Sequence, residues 1–260
     1  MTAITGHRGA GGLHPENSLT GFRRAAELGC DAIEFDVHPT RSGALLVIHD
    51  ATLERTTSGR GAVTDLDAEA QRDVRLKGSS EPIPTLDQVL ETLAPCPAKL
   101  HVEIKADAQG DRYPGVVGAV TERLQAHGLA SRAVLTSFDP EVLEEARAQQ
   151  SDIGRLISAN EAWIERHGGL DAFFRRVEGL ADLVALHHGV LGPSFDRVTS
   201  RWPIDRLCVW TVNEADAIAG WLDRGIGHLT SDRPDLALAL REARAPLATA
   251  GAGDGGQGSR

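Results

Sequence analysis

Ala32-Ile33-Glu34-Phe35-Asp36-Val37 is the stretch that decides the fold. On a strand the side chains alternate, so Ile33, Phe35 and Val37 share one face while Glu34 and Asp36 share the other. In a barrel the apolar face packs against helices, which turns the two carboxylates inward. His101-Val102-Glu103-Ile104-Lys105 repeats the pattern, with Val102 and Ile104 outward and His101, Glu103 and Lys105 inward.

Outward from these two stretches, strand-like and helix-like segments alternate almost to the end of the chain. Strand candidates are Thr5–His7, Ala32–Val37, Leu45–Ile48, Leu100–Ile104, Ala133–Leu135, Ile153–Ile157, Leu183–Leu186, Leu207–Trp210 and His228–Thr230. Helix candidates are Leu19–Leu28, with Ser18 as N-cap, then Leu86–Leu93, Val116–His127, Glu141–Gln149, Ala215–Asp223 and Asp235–Arg244. Strands separated by helical patterns call for a parallel sheet with crossover helices. About eight strands in roughly 240 residues suit a closed (β/α)8 barrel of the TIM type better than an open sheet.

Two stretches break the rhythm. Residues 50–84, rich in Thr, Ser, Gly and Pro, are too long for a plain βα loop and read as a small insertion after the second strand. The expected organisation is therefore one barrel over residues 1–244 with that insertion, and a Gly/Ala-rich, disordered tail over residues 245–260.

The composition narrows the function. The net charge of −10 disfavours a nucleic-acid partner, because no excess of cations exists to displace counterions. No apolar run approaches the roughly 20 residues a membrane span needs. The first residues carry no basic segment followed by an apolar one, so no secretory signal is visible, and a cytoplasmic protein is expected. Cys30, Cys96 and Cys208 are scattered and odd in number, which fits three reduced thiols rather than a disulfide framework or a thiolate zinc site.

Buried carboxylates are unfavourable unless paired or ligated. Glu34, Asp36 and Glu103 offer only oxygen donors, which suits a hard divalent cation such as Mg²⁺ or Ca²⁺. A buried ion-pair network, with Glu103 on Lys105 or an arginine, fits the spacing equally well. Gly6-His7-Arg8-Gly9 and Ile48-His49-Asp50 each place a histidine where a barrel strand would meet its C-terminal loop, the face on which barrel active sites lie. A histidine there can exchange protons at neutral pH, and Arg8 offers a planar fork for phosphate or carboxylate. His14, His38, His127, His167 and His188 carry no such argument. The glycines of Gly6–Gly12 lack the spacing of a dinucleotide loop, and no lysine follows a glycine as a P-loop demands.

HRGA at 7–10, PENS at 15–18, EFDV at 34–37, HD at 49–50, RTTSGRG at 55–61, IPTLDQVL at 83–90, EIK at 103–105 and WTVN at 210–213 occur in the order typical of the glycerophosphodiester phosphodiesterases. The chain resembles that family over residues 4–240. The resemblance implies a (β/α)8 barrel with an insertion after the second strand, and hydrolysis of small-molecule glycerophosphodiesters to an alcohol and glycerol 3-phosphate. It implies that His7 and His49 act as acid and base, and that Glu34, Asp36 and Glu103 bind the cation. Arg8 and Lys105 would then hold the phosphate, Trp210 line the substrate pocket and Glu16 support the site. Related reactions are a lysophospholipase D or a cyclising, phospholipase C-like cleavage; outside catalysis, the rival is a barrel that merely binds a phosphorylated ligand. One segment departs from the family's GVDGIITDxP pattern: Gly227 stands where an acid is usual and His228 where a glycine is.

Overall fold

The computed structural model describes residues 1–149 and 152–245. The segment 246–260, nearly all of the expected tail, lies outside the described residues. The strands are β1 (Ala3–Gly6), β2 (Ala32–Pro39), β3 (Leu45–Val47), β4 (Lys99–Ile104), β5 (Ala133–Ser137), β6 (Gly154–Ala159), β7 (Leu183–His187), β8 (Leu207–Trp210) and β9 (His228–Ser231). All pair in parallel except β3, which runs antiparallel to β2. Without β3, eight strands remain, in the order β1, β2, β4, β5, β6, β7, β8, β9, and the pairing of β9 with β1 closes them into a barrel.

Helices wrap the outside. They include α1 (Leu19–Glu27), α2 (Ala68–Asp73), α3 (Leu86–Leu93), α4 (Val116–Ala126) and α5 (Pro140–Ala148). Ser18 caps α1 by accepting from the Gly21 amide, and Thr85 with Gln88 forms a capping box on α3. Ile33, Phe35 and Val37 pack outward with Val102 and Ile104 against Phe22, Leu90 and Val120 of the helices. The far side of the barrel buries Ile157, Leu186, Val209 and Leu229 against Phe173 and Trp221 in the same way.

Between β6 and β8 the structure holds four helices that the strand-and-helix reading did not include: α6 (Glu161–Arg166), α7 (Leu170–Val177), α8 (His188–Leu191) and α9 (Phe195–Thr199). The last two helices are α10 (Ala215–Asp223) and α11 (Pro234–Glu242). For α7 the signal was present, since Leu170, Phe173, Phe174 and Val177 recur at helical spacing and are all buried.

The segment from β3 to Ile83 folds beside the barrel mouth around its own apolar cluster of Leu46, Ile48, Leu53, Val63, Leu66, Leu76 and Ile83. Short antiparallel bridges, Thr52 with Ala62 and Arg75 with Pro82, tie it together. The departure before β9 has a steric cause. A Cβ on Gly227 would lie 2.5 Å from the Asp205 carbonyl oxygen, so no acid fits there without moving the backbone.

Phe35 is fully buried and meets Phe22 edge to face at 5.7 Å. Phe35→Ala should therefore cost about 3–5 kcal/mol of stability, read as a lowered urea midpoint; a loss below about 1 kcal/mol would mean that the β2–α1 contact is not part of the core.

Candidate active site

The register of β2 on β4 sets Asp36 beside Glu103 and Glu34 beside His101. One oxygen each from Glu34, Asp36 and Glu103 lies within 4.8 Å of the others, at the C-terminal mouth of the barrel. Glu34 and Asp36 are buried and Glu103 half-buried.

The two readings of these carboxylates both have a counterpart here. Lys105 Nζ lies 2.7 Å from Glu103 and 3.5 Å from Asp36, and Arg8 Nε is 3.6 Å from Asp36. Burial opposes the Asp36 charge, but Lys105, His49 and Arg8, with a hydrogen bond from Asn17, outweigh it and hold the carboxyl far below its ordinary range. Burial likewise opposes the Lys105 ammonium, and Glu103 with Asp36 overcomes it, so the pKa rises. Glu34 is the exception. Burial first, and then the charges of Asp36 and Glu103, push its pKa well up against the opposing pull of Arg8. Its Oε2 accepts from the Arg8 amide at 2.9 Å, but its Oε1 is buried without a partner. An ion-pair network thus satisfies two carboxylates and leaves the third short of positive charge. Three oxygen donors with one unpartnered fit a hard divalent cation.

His7 follows β1 directly. Its Nδ1 lies 2.6 Å from Asp232, which Asn213 holds in turn through its side-chain amide at 2.7 Å. His49 is built in parallel, with its Nδ1 2.6 Å from Asp50. Burial raises the Asp232 pKa, but the hydrogen bond and charge of His7 prevail and lower it. Hydrogen bonds from Arg55 are the first cause that draws Asp50 down to about 2. Both carboxylates are thus ionised acceptors, so each imidazole donates from Nδ1 and leaves Nε2 free for proton transfer. The His7 Nε2 lies 3.9 Å from Glu34.

The placement of His49 differs from the expectation that it ends a barrel strand. β3 lies outside the barrel and runs back toward the mouth, so His49 arrives from an antiparallel return. Ile48 donates its amide to the Asp36 carbonyl, and His38 Nε2 donates to the His49 carbonyl at 3.0 Å. His38 accepts in turn from the Tyr113 hydroxyl at 2.9 Å.

Arg8 sits in the left-handed region at φ 51°, followed by Gly9 at φ 85°. A Cβ on Gly9 would come within 2.9 Å of the Gly21 carbonyl carbon, so only glycine lets this loop close on α1. The turn lets the Arg8 guanidinium face the carboxylates. Its Nη1 donates to Glu16 at 2.9 Å, while Nε is buried without a hydrogen-bond partner. Glu16 also takes two hydrogen bonds from Arg55, each 2.8 Å, and Arg55 grips Asp50 at 2.5 and 2.9 Å. One arginine from the inserted segment therefore couples the carboxylate that orients His49 to the one that holds Arg8.

His7, Arg8, Glu34, His49 and Glu103 open into one cleft, to which Lys105, Phe138 and Trp210 also contribute. The structure thus brings together the sequence-derived residues His7, Arg8, Glu34, Asp36, His49, Glu103, Lys105 and Trp210, with Glu16 behind Arg8. Asp232, Asp50, Asn213, Arg55, Asn17, His38 and Phe138 had no assigned part. Most lie inside or beside the quoted motifs, but nothing in a motif says which carboxylate will meet which imidazole.

A carboxylate cluster with one oxygen lacking a partner, beside a buried guanidinium, suits an anion held against a cation, as in barrel enzymes of phosphate esters. Comparison with known proteins carries this further. A sequence model of the glycerophosphoryl diester phosphodiesterase family matches residues 7–236. The glycerophosphodiester phosphodiesterase of Caldanaerobacter subterraneus subsp. tengcongensis is 28% identical over 254 residues, covering 92% of this chain and 97% of that one. That of Bacillus subtilis is 30% identical over 262 aligned positions, covering 88% and 83%. A solved structure from Agrobacterium tumefaciens, of a protein assigned to the same family, superposes with a TM-score of 0.84 at 26% identity and covers 94% of this chain and 98% of that one. The chain belongs to the glycerophosphoryl diester phosphodiesterase family and is a phosphodiesterase.

Arg55→Ala should lower turnover roughly 10- to 100-fold with little change in fold, because it frees both Asp50 and Glu16. Steady-state assays with circular dichroism check this, and unchanged turnover would make the bridge dispensable. The buried histidines supply a pH effect. Burial pushes His38 down to about 4 and His101, with neighbouring His228 and Lys99 adding repulsion, down to about 3. Below about pH 6.5 the unfolded chain takes up protons that the folded chain refuses, so stability should fall as pH drops from there toward 4. The slope is about 1.4 kcal/mol per pH unit for each histidine. Urea midpoints at pH 7.5 and 5 test it, with a shallower loss expected in His38→Gln.

Proposed function

We propose that the protein hydrolyses water-soluble glycerophosphodiesters to an alcohol and glycerol 3-phosphate, with Mg²⁺ or Ca²⁺ held by Glu34, Asp36 and Glu103. The observation that carries this reading is Glu34 Oε1, buried without a hydrogen-bond partner in a cluster of three carboxylates within 4.8 Å of one another. Bound there, the cation supplies Lewis-acid polarisation of a phosphoryl oxygen and offsets the charge that builds up in the transition state. Arg8 binds the phosphate through its guanidinium, and Lys105 holds a further oxygen while keeping Asp36 ionised. One of His7 and His49 takes the proton from the attacking hydroxyl at Nε2, and the other gives a proton from Nε2 to the leaving oxygen. Attack by water gives glycerol 3-phosphate directly, whereas attack by the substrate's own glycerol hydroxyl releases the alcohol and leaves a cyclic phosphate that water must then open; both routes use the same two groups. Asp232 and Asp50 stabilise the imidazolium in either role.

A soluble headgroup is favoured over a lysophospholipid because Met1 and Leu13 are the exposed large hydrophobic side chains among the described residues, too little for a lipid-docking patch. Two histidines oriented by carboxylates favour catalysis over mere binding. No helix among the described residues is long and apolar enough to cross a membrane. The three cysteines, unpaired among the described residues, suit a reducing cytoplasm.

Incubation with glycerophosphocholine and glycerophosphoethanolamine, in Mg²⁺, Ca²⁺ or EDTA, should release glycerol 3-phosphate only with metal present. His7→Ala and His49→Ala should each lower turnover about 100-fold or more. Near-normal activity in both variants would sink the acid–base assignment, and a rate untouched by EDTA would sink the metal.

A further inference from the structure

The two proposed proton-transfer groups are anchored differently. His7 continues a barrel strand, and its main chain is held on both sides. Its amide donates to the Ser231 carbonyl at 2.9 Å, and its carbonyl accepts from Gly11 at 3.2 Å. His49 lies past the end of β3, on a return that is not part of the barrel. Among the described residues its amide makes no backbone hydrogen bond, and its carbonyl accepts one bond, from His38 Nε2 at 3.0 Å. Asp50 and Arg55 orient the His49 ring. The backbone that carries the ring is tied to β2 through the Ile48 amide on the Asp36 carbonyl and through His38.

His38 is fully buried in β2 and does not line the cleft. Both of its nitrogens are engaged. A carbonyl can only accept, so Nε2 carries the proton, Nδ1 is the acceptor, and the Tyr113 hydroxyl donates to it at 2.9 Å. The Tyr113 ring meets the imidazole edge to face at 5.6 Å. Tyr113 itself follows a loop braced on its own backbone. Ala106 and Arg112 form a bridge, and Asp107 Oδ1 accepts from the Gln109 and Asp111 amides at 2.9 and 2.8 Å. A line of hydrogen bonds therefore runs from the loop between β4 and α4, through β2, to the main chain of His49, entirely outside the substrate space.

We propose that His38, held in one tautomer by Tyr113, is the positioning residue of His49 and sets where that imidazole stands over the cleft. This rests on the acid–base reading of His49 and extends it to the group that holds the histidine in place. Proton transfer tolerates little displacement, and a shift of about 1 Å can cost 100-fold in rate. The phosphate is bound by other groups, so the loss should fall on kcat rather than on KM.

Steady-state kinetics of the full chain in Mg²⁺, on whichever of glycerophosphocholine and glycerophosphoethanolamine is turned over faster, test this in the wild type and in His49→Ala. His38→Leu, which removes both ring hydrogen bonds, should lower kcat about 10- to 100-fold and leave KM nearly unchanged. His38→Gln, whose amide can still donate to the His49 carbonyl, should recover most of that loss. In the His49→Ala background neither substitution should lower kcat further, because a residue that acts through His49 has nothing left to act on. Tyr113→Phe should give a smaller loss that also vanishes in His49→Ala, and it decides the matter should His38→Leu fail to fold. An undiminished kcat in His38→Leu, a loss that glutamine does not recover, or the same loss repeated in His49→Ala would overturn the positioning role. Near-normal activity of His49→Ala itself, or no hydrolysis by the wild type, would overturn the acid–base reading and the positioning role with it, so the two failures are distinguishable.

Discussion

Three carboxylates on adjacent strands, two of them buried, set the terms for the rest of the molecule. Placing Glu34, Asp36 and Glu103 within 4.8 Å of one another in a partly dry site is tolerable only if positive charge is brought to them. Lys105, just past the end of the strand that carries Glu103, and Arg8, from the turn after β1, bring part of it. Arg8 can do so only because it adopts a left-handed conformation, and the next residue is the glycine that lets the turn close. The remaining deficit falls on Glu34, whose raised pKa and unpartnered oxygen both register it. The electrostatic demand and the proposed cation chemistry therefore have one origin.

The two histidines follow a common design with different supports. Asp232 reaches His7 from the last strand of the barrel, some two hundred residues away along the chain, whereas Asp50 is the immediate neighbour of His49. Each carboxylate is itself held: Asp232 by Asn213 and Asp50 by Arg55. Such outer contacts decide which nitrogen of an imidazole faces the substrate, and hence whether it can move a proton there. The segment between β2 and β4 thus supplies His49, the carboxylate that orients it and the arginine that holds that carboxylate.

The same alternation that turns acids inward on β2 and β4 turns Leu156 and Ser158 of β6, Ala185 of β7 and Cys208 of β8 inward, and Val134 packs with Leu156, Ala185 and Cys208 in the barrel centre. The outward faces of the strands form a dense shell with the helices, where Phe35, Val102, Leu186 and Leu229 are all fully buried. Stability and substrate space are divided between the two faces of the same strands.

Much of this was legible in the chain itself. The alternation of Ile33, Glu34, Phe35 and Asp36 fixes which side chains face the helices, because the period of a strand is two whatever surrounds it. The run of strands and helices fixes a parallel sheet, and the ordered motifs point to the family. Whether Leu45–Val47 joins the barrel was not legible, since a short apolar strand reads the same in a parallel or antiparallel setting, and only its pairing with β2 shows that it lies outside. Nor could the short helices α6, α8 and α9, the pairing of Asp232 with His7 or the bridging role of Arg55 be fixed by local pattern. Sequence determines the period and polarity of each element; which charges meet across the mouth depends on closing the barrel, which brings β9 beside β1 and makes neighbours of residues that nothing local connects.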